Sequence, residues 1–255
     1  MISVCIATYN GERYVREQLE SILRQLPSSS VADSESKVAG EDSANFAEVI
    51  IADDGSTDRT LEIVREINDP RIRVLPQSEH LGPVYNFERA LKAARGDVIF
   101  LADQDDVWLP GKVDQVMSAI KDISLVVHDA SFMDGEGRTL NELGVMWGNR
   151  PYQKGLFKNW LKNSYTGCCM AFKREVLLAA LPFPKNLPMH DQWLGLVAER
   201  SFGPDSVVAL DQPLIQYRVH EKNATHLTGG ANSCICQKIK WRFDLLRALA
   251  AYRVR

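Results

Sequence analysis

Apolar positions in the first part of the chain alternate between two rhythms. The runs Ile2–Ala7, Glu48–Ala52, Arg71–Leu75 and Asp97–Ala102 are short and nearly continuous, which predicts buried strands. Between them apolar residues recur at helical spacing: Val15, Leu19, Ile22, Leu23 and Leu26, then Leu61, Val64 and Ile67, then Val84, Phe87, Leu91 and Ala94. Ser56 reads as the N-cap of the second helix, and Gly96 as a C-cap of the third. Pro110 opens a fourth helix near its first turn. Strands that alternate with helices build a mostly parallel sheet flanked by helices, because parallel neighbours need crossover connections.

The second half is less regular. Ser124–His128, Tyr165–Phe172, Ser206–Leu210 and Leu214–Val219 read as strands, and Arg174–Leu181 and His190–Arg200 as helices. Residues 27–45 break the rhythm with serines, glycine and charges, which predicts a polar loop insertion. No linker or repeat forces a second domain.

Composition narrows the class. The chain has 255 residues, 45% hydrophobic and 25% charged, ordinary values for a globular α/β domain. No apolar run approaches the roughly 18–20 residues that span a bilayer, and Met1 leads directly into a strand-like run without a basic segment, so a cytoplasmic protein is expected. The five cysteines lack zinc-ligand spacing; Cys5, Cys168 and Cys169 lie in apolar runs and read as reduced, core-forming thiols. A net charge of −3 argues against nucleic acid as a partner. The charge is uneven, however. Residues 231–255 hold six basic residues against Asp244, a net +5 that leaves −8 for residues 1–230. Within that basic segment Ile235, Ile239, Phe243, Leu246 and Leu249 form an amphipathic helical stripe, suited either to an anionic membrane surface or to packing on protein.

Acids concentrate where two strands end. Val49-Ile50-Ile51-Ala52 runs into Asp53-Asp54-Gly55-Ser56-Thr57-Asp58, and Val98-Ile99-Phe100-Leu101-Ala102 into Asp103-Gln104-Asp105-Asp106. Open parallel sheets bind ligands outside the carboxyl ends of their strands. The first cluster is also ordinary turn and cap chemistry. The second is a poor turn, and adjacent carboxylates repel unless a cation sits among them. A divalent metal such as Mg²⁺ or Mn²⁺ answers that need through oxygen ligands.

Together these segments resemble the family 2 inverting glycosyltransferases of the GT-A fold. Ala7-Thr8-Tyr9-Asn10-Gly11 matches the family's opening motif, Ile51–Asp58 its nucleotide-base loop, and Leu101–Trp108 its D-x-D motif. His190-Asp191-Gln192-Trp193 stands where the family places its catalytic carboxylate, and Tyr217-Arg218-Val219-His220, followed by Asn223, is similar to the segment that closes over the diphosphate. The D-Q-D-D-x-W variant resembles the bacterial rhamnosyltransferase-like subgroup.

The resemblance implies a Rossmann-like, mostly parallel sheet over residues 1–230, with a nucleotide-binding half at 1–122, an irregular acceptor-side half at 123–230, and a basic helix at 231–255. Thr8, Tyr9, Asn10, Asp53 and Asp54 would meet the nucleotide. Asp54 would accept the imide N–H of uracil or thymine, and Asp103 would face the ribose. Asp105 and His220 would hold the metal, Asp106 would join them or cap the helix that follows, Arg218 would pair with phosphate, Trp193 would line the acceptor pocket or pack in the core, and Asp191 would be the general base. The donor is then a UDP- or dTDP-linked sugar. The acceptor is a glycan or lipid-linked hydroxyl, with peripheral contact at the inner membrane. Two rivals share the acidic sheet: a sugar-phosphate nucleotidyltransferase, against which the absence of a Gly-rich basic loop after the first strand speaks, and a non-catalytic binding module, against which Asp105 and Asp191 speak.

Overall fold

The computed structural model describes residues 1–30, 46–77, 79–220 and 235–252. Most of the predicted insertion, Asn223 and the start of the basic segment lie outside the described residues. In chain order the elements are β1 (Ile2–Thr8), α1 (Val15–Leu23), β2 (Ser29–Ser30), β3 (Phe46–Asp53), α2 (Thr60–Ile67), β4 (Ile72–Val74), α3 (Gly82–Ala93) and β5 (Val98–Ala102). Then follow β6 (Val107–Trp108), α4 (Lys112–Ala119), β7 (Leu125–Met133), α5 (Met146–Asn149), α6 (Leu156–Leu161), β8 (Met170–Lys173), α7 (Arg174–Ala180), α8 (His190–Phe202), β9 (Val207–Arg218) and α9 (Ile235–Ala251).

Among the described residues, nine strands form one mixed sheet in the order β2-β3-β1-β5-β8-β7-β9-β6, with β4 also on β3. Strands β1 to β5 pair parallel to one another. β8 joins the two halves by pairing antiparallel to both β5 and β7. Side chains of β1 alternate between the two faces of the sheet. Val4 and Ile6 enter a core with α1, while Cys5 enters the other with Phe87 and Leu91 of α3. Strand β3 is buried along its whole length, as a doubly covered parallel strand must be. The register sets Thr8 opposite Asp53 and Ile6 opposite Ala102. The acids that follow β3 and β5 therefore emerge on one edge, beside the loop after β1.

Local reading erred where tertiary contacts decide. Ser56 does not cap α2. Its hydroxyl donates to Asp53 Oδ1 (2.6 Å), and the carboxylate of Asp58 takes the N–H of Thr60 at the helix start (3.0 Å). Tyr165–Phe172 is not one strand, because Gly167–Cys169 forms a 3₁₀ turn before β8. The two last predicted strands merge into β9, whose pairing with β7 shifts register around Asp129. α4 starts only at Lys112, after Gly111 at φ +85°. In α9 the inward residues are Leu245 and Leu249, whereas Ile239, Phe243 and Leu246 of the predicted stripe are exposed.

Gly96 is not a left-handed cap either, since α3 ends at Ala94. It is glycine for want of space: an added Cβ would lie 2.6 Å from Ser3 N and 2.8 Å from Ile2 C, both backbone atoms of β1. Its N–H donates to Ser3 Oγ (2.7 Å). Gly96→Ala is therefore expected to destabilise the fold by about 2 kcal/mol through overpacking, read as a lower urea midpoint with an unchanged slope.

Candidate functional site

The loop after β1 and the turn after β3 are built around one carboxylate. Asp53 accepts the Thr8 and Ser56 hydroxyls on Oδ1 (2.8 and 2.6 Å) and the Gly55 and Ser56 N–H groups on Oδ2 (3.1 and 2.8 Å). Asn10, at φ +48°, adds the crossing link: its N–H donates to Ser56 Oγ and its side-chain oxygen accepts the Thr57 N–H, both at 2.9 Å. The neighbouring Asp54 is buried and takes the N–H groups of Leu81 (2.7 Å) and Gly82 (2.9 Å) at the start of α3. His80 Nδ1 lies 3.0 Å from Asp54 Oδ2, and the exposed Tyr9 ring lies 4.9 Å from the His80 ring. Asp54 thus sits beneath an open Tyr9–His80 pair, of which the sequence reading had only Tyr9.

At the end of β5 the acids divide by depth. Asp105 is partly exposed and its Oδ2 lies 2.8 Å from His220 Nε2, so two of the expected metal ligands meet. Asp106 is buried: Oδ1 accepts the Arg218 N–H (3.1 Å), while Oδ2 has no hydrogen-bond partner. Asp103, Asp106 and the thiol of Cys168 present ligand atoms all within 4.8 Å of one another. Burial, and then the charge of Asp105, push the Asp103 carboxyl up to about 7, with Asp191 adding to the rise. Burial and the charges of Asp105 and Asp103 likewise raise Asp106 well above the usual carboxylate range.

Three residues hold this cluster together. Arg218, expected on the phosphate, is buried inside the wall: Nε donates to Asp105 O (2.7 Å), Nη1 to Asp134 O (3.3 Å) and Nη2 to Glu17 Oε2 (2.5 Å), over the Tyr14 ring. Lys112 is fully buried, donates to Cys168 O (2.9 Å), and rests 4.1 Å from the centroid of Trp108. Burial lowers its pKa to about 8, against which the nearby acids favour its charge. Gln104, the middle residue of the acidic motif, accepts the Tyr9 N–H (2.9 Å) and donates back to Tyr9 O (3.1 Å). A Cβ on Gly11 would collide with that amide at 2.3 Å. Sequence reasoning missed both Lys112 and Gln104. Gln104 stood inside the motif as its variable residue, and a lysine after Pro110-Gly111 reads as an ordinary surface cation.

Asp191 lies in the first turn of α8, where the helix dipole favours an anion. Its Oδ1 accepts Asn163 Nδ2 (3.2 Å) and its own neighbour's N–H, Gln192 (2.6 Å). The turn Gly167-Cys168-Cys169 separates it from the acid cluster. A Cβ on Gly167 would stand 3.8 Å from Asp191 Cβ and 3.0 Å from His190 Nε2, and the next residue is the Cys168 of the cluster. Cys168 is thus more than the apolar filler its surroundings in the sequence suggested. Trp193 is placed in the core, with Nε1 on Ala180 O (2.9 Å) and its ring edge-on to Tyr252.

Comparison with known proteins accords with this geometry. The family model of glycosyl transferase family 2 matches residues 3–179, and the chain belongs to that family. Escherichia coli WfgD, a UDP-Glc:α-D-GlcNAc-diphosphoundecaprenol β-1,3-glucosyltransferase, is 27% identical over 72% of this chain and 64% of its own. The dTDP-rhamnosyl transferase RfbG of Shigella flexneri is 27% identical over 95% of this chain and 79% of its own. Three of the curated relatives are spanned over only 61–66% of their length. Among solved structures, Staphylococcus aureus TarS with UDP-GlcNAc superposes with a TM-score of 0.65 at 21% identity, over 98% of this chain and 66% of that one. Mycobacterium tuberculosis glucosyl-3-phosphoglycerate synthase with Mn²⁺ and UDP gives 0.54 at 18% identity, over 99% and 79%. The fold is GT-A.

The acids present fit a divalent cation: a buried Asp106 oxygen without a hydrogen-bond partner among the described residues, two carboxyls that burial and the neighbouring carboxylates push upward, and an Asp105–His220 pair at ligand spacing. Because Asp103 holds its proton to about 7, the native chain binds more protons than the unfolded one between its model value of 3.8 and that pH. This group therefore costs stability as pH rises through the window, and a cation that needs the ionised form gains. The thermal shift on adding Mn²⁺ should accordingly be larger at pH 8 than at pH 6. Asp103→Asn should raise the melting temperature of the metal-free protein at pH 8 and shrink the Mn²⁺ shift. Gln104→Ala should weaken nucleotide binding about tenfold, the loss of two hydrogen bonds that pin the Tyr9 loop, with little change in the melting temperature; calorimetric titration of UDP measures it.

Proposed function

We propose that the protein transfers a sugar from a UDP- or dTDP-linked donor to an acceptor hydroxyl with inversion at the anomeric carbon. The acceptor is a glycan or a lipid-linked glycan in bacterial polysaccharide synthesis. The observation that supports this most is the placement of Asp191 and the acid cluster on either side of one three-residue turn, close enough for the Asp191 charge to act on Asp103. An inverting displacement needs that division, with charge control of the leaving diphosphate on one side and a proton acceptor on the other.

In the single step, the acceptor oxygen forms a bond to the anomeric carbon as the carbon–oxygen bond to the diphosphate breaks. The hydroxyl proton passes to the Asp191 carboxylate, which Asn163 and the Gln192 N–H hold in place. A divalent metal held by Asp105, Asp106 and His220 supplies charge neutralisation of the departing diphosphate when bound. Thr8, Tyr9, Asn10 and Asp53 shape the nucleotide side. Asp54 keeps acceptor capacity for a pyrimidine imide, since each carboxylate oxygen has a second lone pair beyond the N–H it receives. Asp103 faces the ribose. Arg218 serves the diphosphate indirectly, by fixing the backbone of Asp105 and the carboxylate of Asp106. The donor reading draws support from two relatives named for UDP-glucose and dTDP-rhamnose, both pyrimidine nucleotides, and the lipid-linked acceptor from the diphosphoundecaprenol in one of those names. A cytoplasmic enzyme at the inner membrane face would meet such an acceptor.

Calorimetry with UDP, dTDP and GDP, each with Mg²⁺ or Mn²⁺, should give metal-dependent binding of a pyrimidine diphosphate that Asp105→Ala abolishes. Asp191→Asn should retain that binding and lose about 10³-fold in transfer rate, the contribution of a positioned base. A folded sample that binds none of the nucleotides overturns the donor reading. An Asp191→Asn protein with unchanged turnover removes the base.

A further inference from the structure

The described residues expose ten large hydrophobic side chains, and five of them, Phe157, Leu161, Ile239, Phe243 and Leu246, belong to α6 and α9. These two helices are joined. Trp160 Nε1 donates to Arg242 O (3.2 Å), and Arg242 Nε donates back to Leu161 O (2.9 Å). At about 100° per residue, Ile239, Phe243 and Leu246 fan out within roughly 60° of one another, next to the Arg242 side that meets α6. Leu245 and Leu249 point to the other side of Arg242 and are buried in the core. Phe157 and Phe243 are 68% and 61% exposed, far more than a side chain waiting for a small local adjustment. The apolar residues of the two helices therefore lie side by side as one surface.

Its surroundings are cationic. Lys158 and Lys162 on or beside α6, and Lys240 and Arg247 on α9, are exposed, and Asp244 is the one acid in either helix. This occurs in a chain of net charge −3, so basic residues are gathered here against the overall balance. An apolar patch rimmed by cations complements a bilayer surface bearing anionic headgroups: the rings enter the headgroup–acyl boundary while lysine and arginine meet phosphates. A protein partner would have to be acidic and apolar at once, and nothing else on this face calls for one.

The same helix leads to the reaction centre. Asn163, directly after α6, donates to Asp191, and Gln192 Nε2 donates to Asn159 O (2.6 Å). We infer that α6 and α9 form a docking surface for an anionic lipid bilayer, which brings a lipid-linked acceptor to the Asp191 side of the site. The inference rests on the lipid-linked acceptor reading and names the surface that serves it.

Cosedimentation with vesicles tests it on the full chain. Binding is expected to vesicles of phosphatidylglycerol mixed with phosphatidylethanolamine, and at least tenfold more weakly to phosphatidylcholine alone. Lys240→Glu with Arg247→Glu should reduce partitioning by more than about 25-fold, at about fivefold for each lost cation. Phe157→Ser with Phe243→Ser should do the same by removing the inserted rings. All four positions are exposed, so melting temperature and UDP titration should stay at parental values, which separates failure of this surface from failure of the donor site. No binding to anionic vesicles, or binding that both variants leave intact, overturns the proposal. So does a dimer in analytical ultracentrifugation that Phe243→Ser dissolves, because the occupant is then a second copy.

Discussion

Mutual repulsion among the acids that follow β5 is the constraint on which the site is built. Three carboxylates in four residues, one of them buried and the other two partly so, are unfavourable unless their charge is shared out. The chain meets this by depth and by fixed neighbours. Asp105 stays at the surface against His220, Asp106 turns inward to the Arg218 N–H, and Lys112 brings a buried cation beneath them. Even so one Asp106 oxygen is left without a partner among the described residues, and Asp103 is pushed up to about 7. A bound cation would relieve the repulsion that contributes to both shifts.

Holding such a cluster requires backbone from distant parts of the chain. Arg218 ties Asp105, Asp134 and Glu17 into one wall, and Gln104 ties the acidic loop to the loop after β1. The antiparallel strand β8 then brings the turn at Gly167–Cys169 beneath the same acids, and α8 sets Asp191 beyond it. Glycines at 11 and 167 mark close approaches to Gln104 and to His190. The acid cluster and Asp191 are thus held in one framework, although they belong to different halves of the sequence.

Much of this was legible beforehand. The parallel strands of the first half, their helices and the edge on which Asp53, Asp54, Asp103 and Asp105 emerge follow from short apolar runs and helical spacing, because parallel strands are buried on both faces and leave a strong local pattern. The acceptor side was harder. The 3₁₀ turn at Gly167 carries the same apolar residues as a strand, and only its crowding against His190 tells them apart. Arg218 was read from its neighbours in a motif, whereas burial places it inside a wall; for Trp193, read as pocket lining or core, burial gives the core. In α9 a hydrophobic stripe was visible, yet of the residues named in it only Leu249 is buried among those described, beside Leu245, which lies outside it.

The division has a physical cause. The sequence by itself determined the sheet, the order of its elements and the acids at its edge, since these depend on contacts between residues close in the chain and on the period of the backbone. Which carboxylate is paired and which is pushed above its ordinary range depends on desolvation and on partners such as Glu17 and Arg218, 201 residues apart. Those energies vanish when the partner is absent, so only the tertiary structure could decide them.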